Sequence, residues 1–444
     1  MNRRPFTDPP ELNFDRRKLL PPDEVTGVLV RLRERGFSAF LVGGALRNAI
    51  LGLQIEDWDV ATEASWQVVM SMFPKVIPTG VRHGTVTVVL GPVRVEVSSF
   101  KGDGILDDLG HRDFTIDAMA WDPVSDSLMD PHGGMRDLKA RVVRGVGDPA
   151  AGLEEDPLRA IRAFRICAEL GFRIHRGTML AIARAARGIE RVSPERIRYE
   201  LTRVLLSPDP LLPLRGMSKT GLLHVVLPEL TGSSDAGPSG PRRRLERAFR
   251  IFEGLPNRAP LRWAALLRSV RWEEGMPRDR GTEGHEGTLA AKALIAREVL
   301  RRLRFSRRDI RCITHMISSM DLLDGVEPSE IAARRLVSRI GHEWALDVLA
   351  LRRAELMASK APDRDLAWLS ELERRVTNLV RPPEAAPLRP VLTGFDVMKI
   401  LGIPPGPRVG QILRSIEELL IQDPSANSRG YLEEWLRRER ASMA

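Results

Sequence analysis

The sequence predicts an α/β module over residues 1–150 followed by a mostly α-helical remainder, because two kinds of apolar spacing divide the chain. Short β-type runs recur from Phe37 to Arg144: Phe40-Leu41-Val42, Gly84 to Leu90, Val93 to Ser99 and Arg141 to Val146. Helical stretches such as Asp23 to Arg35 and Ala45 to Leu51 lie beside them. From Glu154 onward almost no strand pattern is left. Helical periodicity runs instead through Asp156–Leu170, Thr178–Arg187, Pro194–Leu206, Arg243–Phe252 and Leu289–Leu303. Two breaks, Thr231 to Pro241 (Gly, Ser, Pro) and Arg381 to Pro390 (Pro, Ala), read as linkers.

Composition narrows the function classes. A chain of 444 residues has room for several domains, and 43% hydrophobic with 29% charged residues fits a globular protein. No apolar run approaches the ~20 residues that cross a bilayer, and Met1 to Lys18 has no apolar stretch of the secretory-signal kind. The expectation is therefore no membrane partner. Two cysteines, Cys167 and Cys312, give neither a disulfide framework nor a thiolate zinc site, which fits a reducing, cytoplasmic setting. A net charge of +9 suits a polyanionic partner, although an arginine-rich composition raises charge without one.

The first third carries the chemistry. Phe40-Leu41-Val42 runs into Gly43-Gly44 and then a helix ending near Leu51-Gly52. Glycines let backbone N–H groups approach a ligand, and a helix start favours negative charge. Arg47 adds a cation in the first turn or so. In Glu56-Asp57-Trp58-Asp59-Val60, a strand would send Asp57 and Asp59 to one face and Trp58 to the other. Two close carboxylates repel unless a cation lies between them, and Mg²⁺ accepts one or two protein carboxylates plus phosphate oxygens. A third carboxylate, Glu96, sits on the polar face of Val93-Arg94-Val95-Glu96-Val97-Ser98, where it either faces solvent or joins the aspartates. Three carboxylates holding Mg²⁺ would suit attack by a 3′-hydroxyl with loss of pyrophosphate.

The motifs Leu41-Val42-Gly43-Gly44-Ala45-Leu46-Arg47, Asp57-Trp58-Asp59-Val60-Ala61-Thr62 and His83-Gly84-Thr85-Val86 open an ordered series. Arg112-Asp113-Phe114-Thr115-Ile116, Asp130-Pro131-His132-Gly133-Gly134, Glu155-Asp156-Pro157-Leu158-Arg159 to Arg165, and Ser193-Pro194-Glu195-Arg196-Ile197 continue it. The series resembles the head and neck of the bacterial and eukaryotic class of CCA-adding tRNA nucleotidyltransferases, a polymerase-beta-like α/β head that bacterial poly(A) polymerases share. The resemblance implies Mg²⁺ ligands at Asp57 and Asp59, while Glu96 stays a candidate third catalytic carboxylate on its strand position alone. It implies triphosphate contacts at Gly44 and Arg47, and a nucleotide contact at Arg112. Asp156, Arg159, Arg162 and Arg165 match the helix that selects the incoming base and contacts the phosphates. Asp156 and Arg159, three residues apart, would share a helix face. A carboxylate beside a guanidinium supplies the acceptor and donors that cytosine and adenine edges require.

The remainder resembles the family more loosely. Gly221-Leu222-Leu223 to Leu230 looks like the end of the neck. Thr393-Gly394-Phe395-Asp396-Val397-Met398 and Pro405 to Gly410 look like the tRNA-binding tail. The expected division is a head over 1–150, a neck over 151–230, a helical body over 231–380 and a tail over 381–444. Leu261 to Ser269 resembles a metal-dependent phosphohydrolase segment, but Arg268 and Ser269 stand where a His-Asp pair belongs, and no histidine lies between His224 and His285. That module is expected to be structural, with His285 an ordinary histidine. In the head, Asn48 replaces the usual Asp, His111 the first Arg of Arg-Arg-Asp, and Asp117 the usual Asn. The segment Phe100 to His111 is shorter than in most relatives, like the branch that adds C residues alone. The resemblance thus implies tRNA, CTP and Mg²⁺, and it leaves ATP addition open. Poly(A) synthesis and a non-catalytic RNA-binding remnant stand as the alternatives.

Overall fold

A computed structural model describes residues 20–55, 57–81, 84–231, 246, 250–268, 289–380 and 389–442. The chain forms two compact units, Met1–Val226 and Leu227–Ala444. Glu56, His83, most of Arg243–Phe252, Ser269, His285 and almost all of both predicted linkers lie outside the described residues.

The first unit is built on a mixed sheet. Its strands are β1 (Ala39–Val42), β2 (Trp58–Thr62), β3 (Val76–Gly80), β4 (Thr85–Leu90), β5 (Val93–Ser99), β6 (Ala120–Asp122) and β7 (Ser127–Met129), in the order β3-β4-β5-β2-β1-β6-β7. β2 and β5 run parallel and every other neighbouring pair is antiparallel. Two helices, α1 (Asp23–Glu34) and α2 (Gly43–Leu51), flank the start of this sheet. Val25, Val28, Leu29 and Leu32 of α1 are fully buried, as its 3.6-residue spacing requires. In β5, Val95 and Val97 are buried while Arg94 and Glu96 are exposed, so the sequence alternation holds.

Several elements differ from the sequence expectation. Strands β3, β6 and β7 were not foreseen; β6 and β7 have three residues each, too short for a period-2 signal, and β3 contains Pro78, which an edge strand tolerates. The predicted run Arg141 to Val146 shrinks to β8 (Val142–Val143), which leaves the main sheet and pairs in parallel with β9 (Arg173–Ile174). The predicted helix Asp156–Leu170 is also split. After α3 (Trp66–Met72), α4 (Ile105–Gly110) and α5 (Gly134–Lys139), the chain forms α6 (Pro149–Glu155), then α7 (Arg159–Leu170). Asp156 falls between the last two in extended conformation (φ −136°). Pro157 is the reason, since the residue before a proline is pushed out of the α region. Asp156 and Arg159 therefore do not share a helix face.

The helices α8 (Arg176–Ala185), α9 (Pro194–Leu206), α10 (Leu211–Lys219) and α11 (Leu222–Val226) complete this unit. Its Asp130-Pro131-His132-Gly133-Gly134 motif is a structural joint. Asp130 accepts the N–H groups of Gly134 (2.6 Å) and Met135 (3.0 Å), opening α5. Gly134 is itself wedged so tightly that a Cβ there would lie 2.3 Å from the Thr115 carbonyl oxygen.

In the second unit every described element is helical. Its phosphohydrolase-like segment forms α12 (Ala259–Leu267), whose following residue, Arg268, pairs with Glu355 at 2.5 Å. An ion pair with the buried Glu355 thus stands at a position where the resemblance places a metal ligand. Near the end of the chain, Leu392, Val397, Ile416, Leu420, Leu432 and Leu436 form one apolar core. There the Thr393-Gly394-Phe395-Asp396 motif acts as a capping box: the Asp396 carboxylate accepts the Thr393 N–H (2.9 Å), and the Thr393 hydroxyl accepts the Asp396 N–H (3.3 Å). Among the described residues no helix is long and apolar enough to cross a membrane.

Replacing Gly134 with Ala should cost about 1–3 kcal/mol, because the new methyl meets backbone rather than a movable side chain. Thermal unfolding checks this, with a melting point lowered by several degrees; an unchanged midpoint would contradict the packing described.

Candidate active site

A cleft of about 970 Å³ opens in the first unit, and Asp57, Asp59, Glu96, Gly44, Arg47, Arg112, Asp156, Arg159, Arg162 and Arg165 all line it. The structure brings together every site residue singled out in the sequence.

The carboxylate end is set by strand register. Asp59 of β2 is the direct parallel neighbour of Glu96 on β5, and Asp57 lies one residue ahead of β2 on the same cleft. Asp59 Oδ2 reaches the start of α2, where the Ala45 N–H approaches it at 3.5 Å. The helix begins two residues earlier than the sequence pattern indicates, so Gly43 and Gly44 form its first turn. A Cβ on Gly43 would lie 2.8 Å from Asp59 Oδ2 and 3.4 Å from Arg112 Nη1, and its φ of +72° is costly for any side chain. Glycine is thus required where the carboxylate meets the helix.

Burial pushes the Asp59 carboxyl up to about 6; the Arg112 charge opposes this and the Glu96 charge adds to it. Glu96 is raised too, by desolvation and then by the charge of Asp57. These acids crowd one another, and a cation among them would relieve both effects. Among the described residues no three His, Cys, Asp or Glu side chains converge into a ready-made metal cage. Two carboxylates completed by substrate oxygens and water fit a hard divalent ion of magnesium type without such a cage.

Arginines surround the acids, each held by a specific partner. Arg47 is buried and donates to Asn48 Oδ1 from Nε (3.1 Å) and Nη2 (3.0 Å), and to Asp117 Oδ1 from Nη1 (2.6 Å). Two of the three family departures in the head are therefore the groups that grip this arginine. Arg112 donates from Nε (3.0 Å) and Nη2 (2.8 Å) to Asp108, a buried α4 residue that also accepts the Lys101 N–H. The segment Phe100 to His111 thus contains an ordered helix fastened to the site. His111, the remaining departure, uses its carbonyl to accept from Arg159 at 3.0 Å.

The α7 arginines form a second network. Arg159 pairs with Asp113 (2.9 Å) and Glu155 (3.0 Å), and Arg162 pairs with Asp113 and with Glu200 of α9 (3.3 Å). Arg165 pairs with Glu200 (2.5 Å) and Glu169 (2.7 Å). Asp156 accepts the Leu158 N–H and pairs with Arg196 at 2.8 Å. Sequence reasoning missed Asp108, Asp113 and Glu200 as partners. The Arg112-Asp113 motif held a signal for Asp113; nothing local marks Glu200, which looks like any helical glutamate.

Comparison with known proteins places this arrangement in a family. The "Poly A polymerase head domain" model matches residues 39–107 and 102–144. The "Probable RNA and SrmB- binding site of polymerase A" matches 171–233, and "tRNA nucleotidyltransferase domain 2 putative" matches 288–436. The CCA-adding enzyme of Geobacillus stearothermophilus is 30% identical over 432 residues, 94% of this chain and 96% of that protein. The chain belongs to the tRNA nucleotidyltransferase family. The A-adding tRNA nucleotidyltransferase of Deinococcus radiodurans is 31% identical over 406 residues, 86% of this chain and 91% of that one. The crystal structure of the Bacillus stearothermophilus CCA-adding enzyme in complex with CTP matches this nucleotidyltransferase with a TM-score of 0.73 at 27% identity, covering 96% and 99% of the two chains.

The raised Asp59 pKa gives a stability prediction. A carboxyl at about 6 when folded and 3.8 ordinarily binds its proton more tightly in the folded state. Its stabilising contribution is full below 3.8 and is lost as pH rises through about 6. In metal-free buffer, Asp59→Asn should therefore melt higher than the parent above pH 6, with the gap closing toward pH 4. Thermal melts across pH check this; a variant less stable at pH 8 would contradict it.

Proposed function

We propose that this enzyme adds nucleotides to the 3′ end of tRNA without a nucleic-acid template, taking CTP to give a CC end or, with ATP as a further substrate, a CCA end. The observation that carries the reading is the single cleft in which the acids of β2 and β5 face the arginines of α7. Full-length relatives with CCA-adding and A-adding activities in their names support the substrate class.

In this reading Asp57 and Asp59 hold Mg²⁺, and Glu96 adds charge beside them. Bound Mg²⁺ supplies charge neutralisation for the triphosphate and acidifies the attacking 3′-hydroxyl. Gly44 leaves room for the triphosphate beside α2, while Arg47 and Arg112 bind its oxygens and orient the α-phosphate for in-line attack. Asp156 and Arg159 offer an acceptor and donors to the base edge. They act from the two sides of the α6–α7 junction rather than from one helix face. Arg162 and Arg165 continue the cationic wall along α7. The four-part division into head (1–150), neck (151–230), body (231–380) and tail (381–444) accompanies this reading, with tRNA contacts in the tail. Cys167 and Cys312 are free thiols, which fits a reducing cytoplasm.

Poly(A) synthesis is less favoured, since the "tRNA nucleotidyltransferase domain 2 putative" model spans much of the second unit. A non-catalytic remnant would have no need of the crowded acids. Purified protein with Mg²⁺ and labelled CTP or ATP, given tRNA transcripts ending before CCA, after C or after CC, separates the products. Addition that stops at CC, at CCA, or that starts only after CC identifies the branch. Long A tails on unrelated RNA would replace this reading with poly(A) synthesis. Asp57→Ala should reduce incorporation by at least about 100-fold; normal turnover in that variant would refute the metal assignment.

A further inference from the structure

The Arg47 guanidinium is gripped from two sides by groups of nearly equal shape and different charge. Asn48, its neighbour on α2, presents one oxygen to Nε and Nη2 at 3.1 and 3.0 Å, and Asp117 presents one oxygen to Nη1 at 2.6 Å. Asp117 closes a 3₁₀ turn, Thr115–Asp117, which is anchored to the core: the Thr115 hydroxyl donates to Asp137 at 2.8 Å, and Arg144 also pairs with Asp137 at 2.8 Å. Gly44 lies against the guanidinium, and a Cβ there would sit 3.4 Å from Arg47 Nη2, in ordinary contact. Only 7% of Arg47 is exposed.

We propose that Asn48 and Asp117 are positioning residues that form a one-charge clamp on Arg47, aiming it at the nucleotide triphosphate, and that carboxylate and amide can be exchanged between the two positions. The proposal rests on the reading of Arg47 as a triphosphate contact. The reasoning is electrostatic. One carboxylate cancels the buried guanidinium while the amide supplies a neutral acceptor, so all three arginine contacts are met without excess charge. Two amides would leave a buried cation without an anion. Two carboxylates would leave a surplus negative charge at the place where a polyanion must dock. Aspartate and asparagine differ little in size, so an exchange conserves both shape and total charge.

Four proteins test this: the parent, Asn48→Asp, Asp117→Asn and the exchanged double variant. Each is measured for nucleotide KM, kcat, tRNA KM and melting temperature, with whichever of CTP or ATP the parent incorporates. Each single change should raise the nucleotide KM, Asp117→Asn by about tenfold or more, with the tRNA KM unchanged. The double variant should return to within about threefold of the parent, because the charge on the clamp is restored. Effects that multiply in the double variant would overturn the proposal. If Asp117→Asn fails to fold, the double variant decides: folded and active supports the clamp, unfolded or inactive overturns it. Arg47→Ala separates the two layers. An unchanged nucleotide KM in that variant refutes Arg47 as a triphosphate contact, whereas a raised KM there with a normal one in Asp117→Asn refutes the clamp alone.

Discussion

The site depends on one close approach, the Asp59 carboxylate resting against the first turn of α2. Parallel pairing of β2 with β5 sets Asp59 beside Glu96, and the left-handed Gly43 removes the side chain that would otherwise collide with it. The result is a concentration of negative charge held at an energetic cost by the sheet around it, visible in the raised Asp59 and Glu96 carboxyls. Strain of this electrostatic kind persists where the surrounding fold over-determines the geometry and a bound cation can relieve it. Much of the first unit can be understood as support for that placement.

The supporting groups share a design. The arginines of the nucleotide site are each paired with a carboxylate: Arg112 with Asp108, one helical turn back in its own segment, and Arg47 with Asp117, Arg159 and Arg162 with Asp113, and Arg165 with Glu200 across segments. Long cationic side chains lose rotamer freedom when they bind an anion, and paying that cost within the folded protein leaves them aimed. Pairing also ties α4, α7 and α9 to the cleft they line. The second unit shows the same kind of pairing, with Arg268 held by Glu355 at 2.5 Å.

The three family departures in the head look unrelated along the chain and become intelligible in space. Asn48 and Asp117 are far apart in sequence, yet both hold Arg47, which thus meets one amide and one carboxylate. His111 contributes through its backbone carbonyl, which any residue supplies, so the loss of an arginine side chain there leaves the contact to Arg159 intact. The segment before Arg112 contains α4, whose own Asp108 is buried and holds Arg112.

The sequence by itself determined the α/β-then-helical order, the strand that carries Glu96 on its polar face, the Gly-Gly turn and the aspartates behind it. These are local signals: alternation, helical period and motif spacing survive without knowledge of neighbours. The break at Asp156 was legible as well, in Pro157, but the helical period hid it. Tertiary structure alone decided which carboxylate holds which arginine, because ion pairs such as Arg165–Glu200 join residues whose separation in sequence carries no period. It also decided the short strands β6 and β7, which exist through pairing with β1 and with each other rather than through any propensity of three residues. The acids lie in the motif; their register, and hence their crowding, belongs to the sheet.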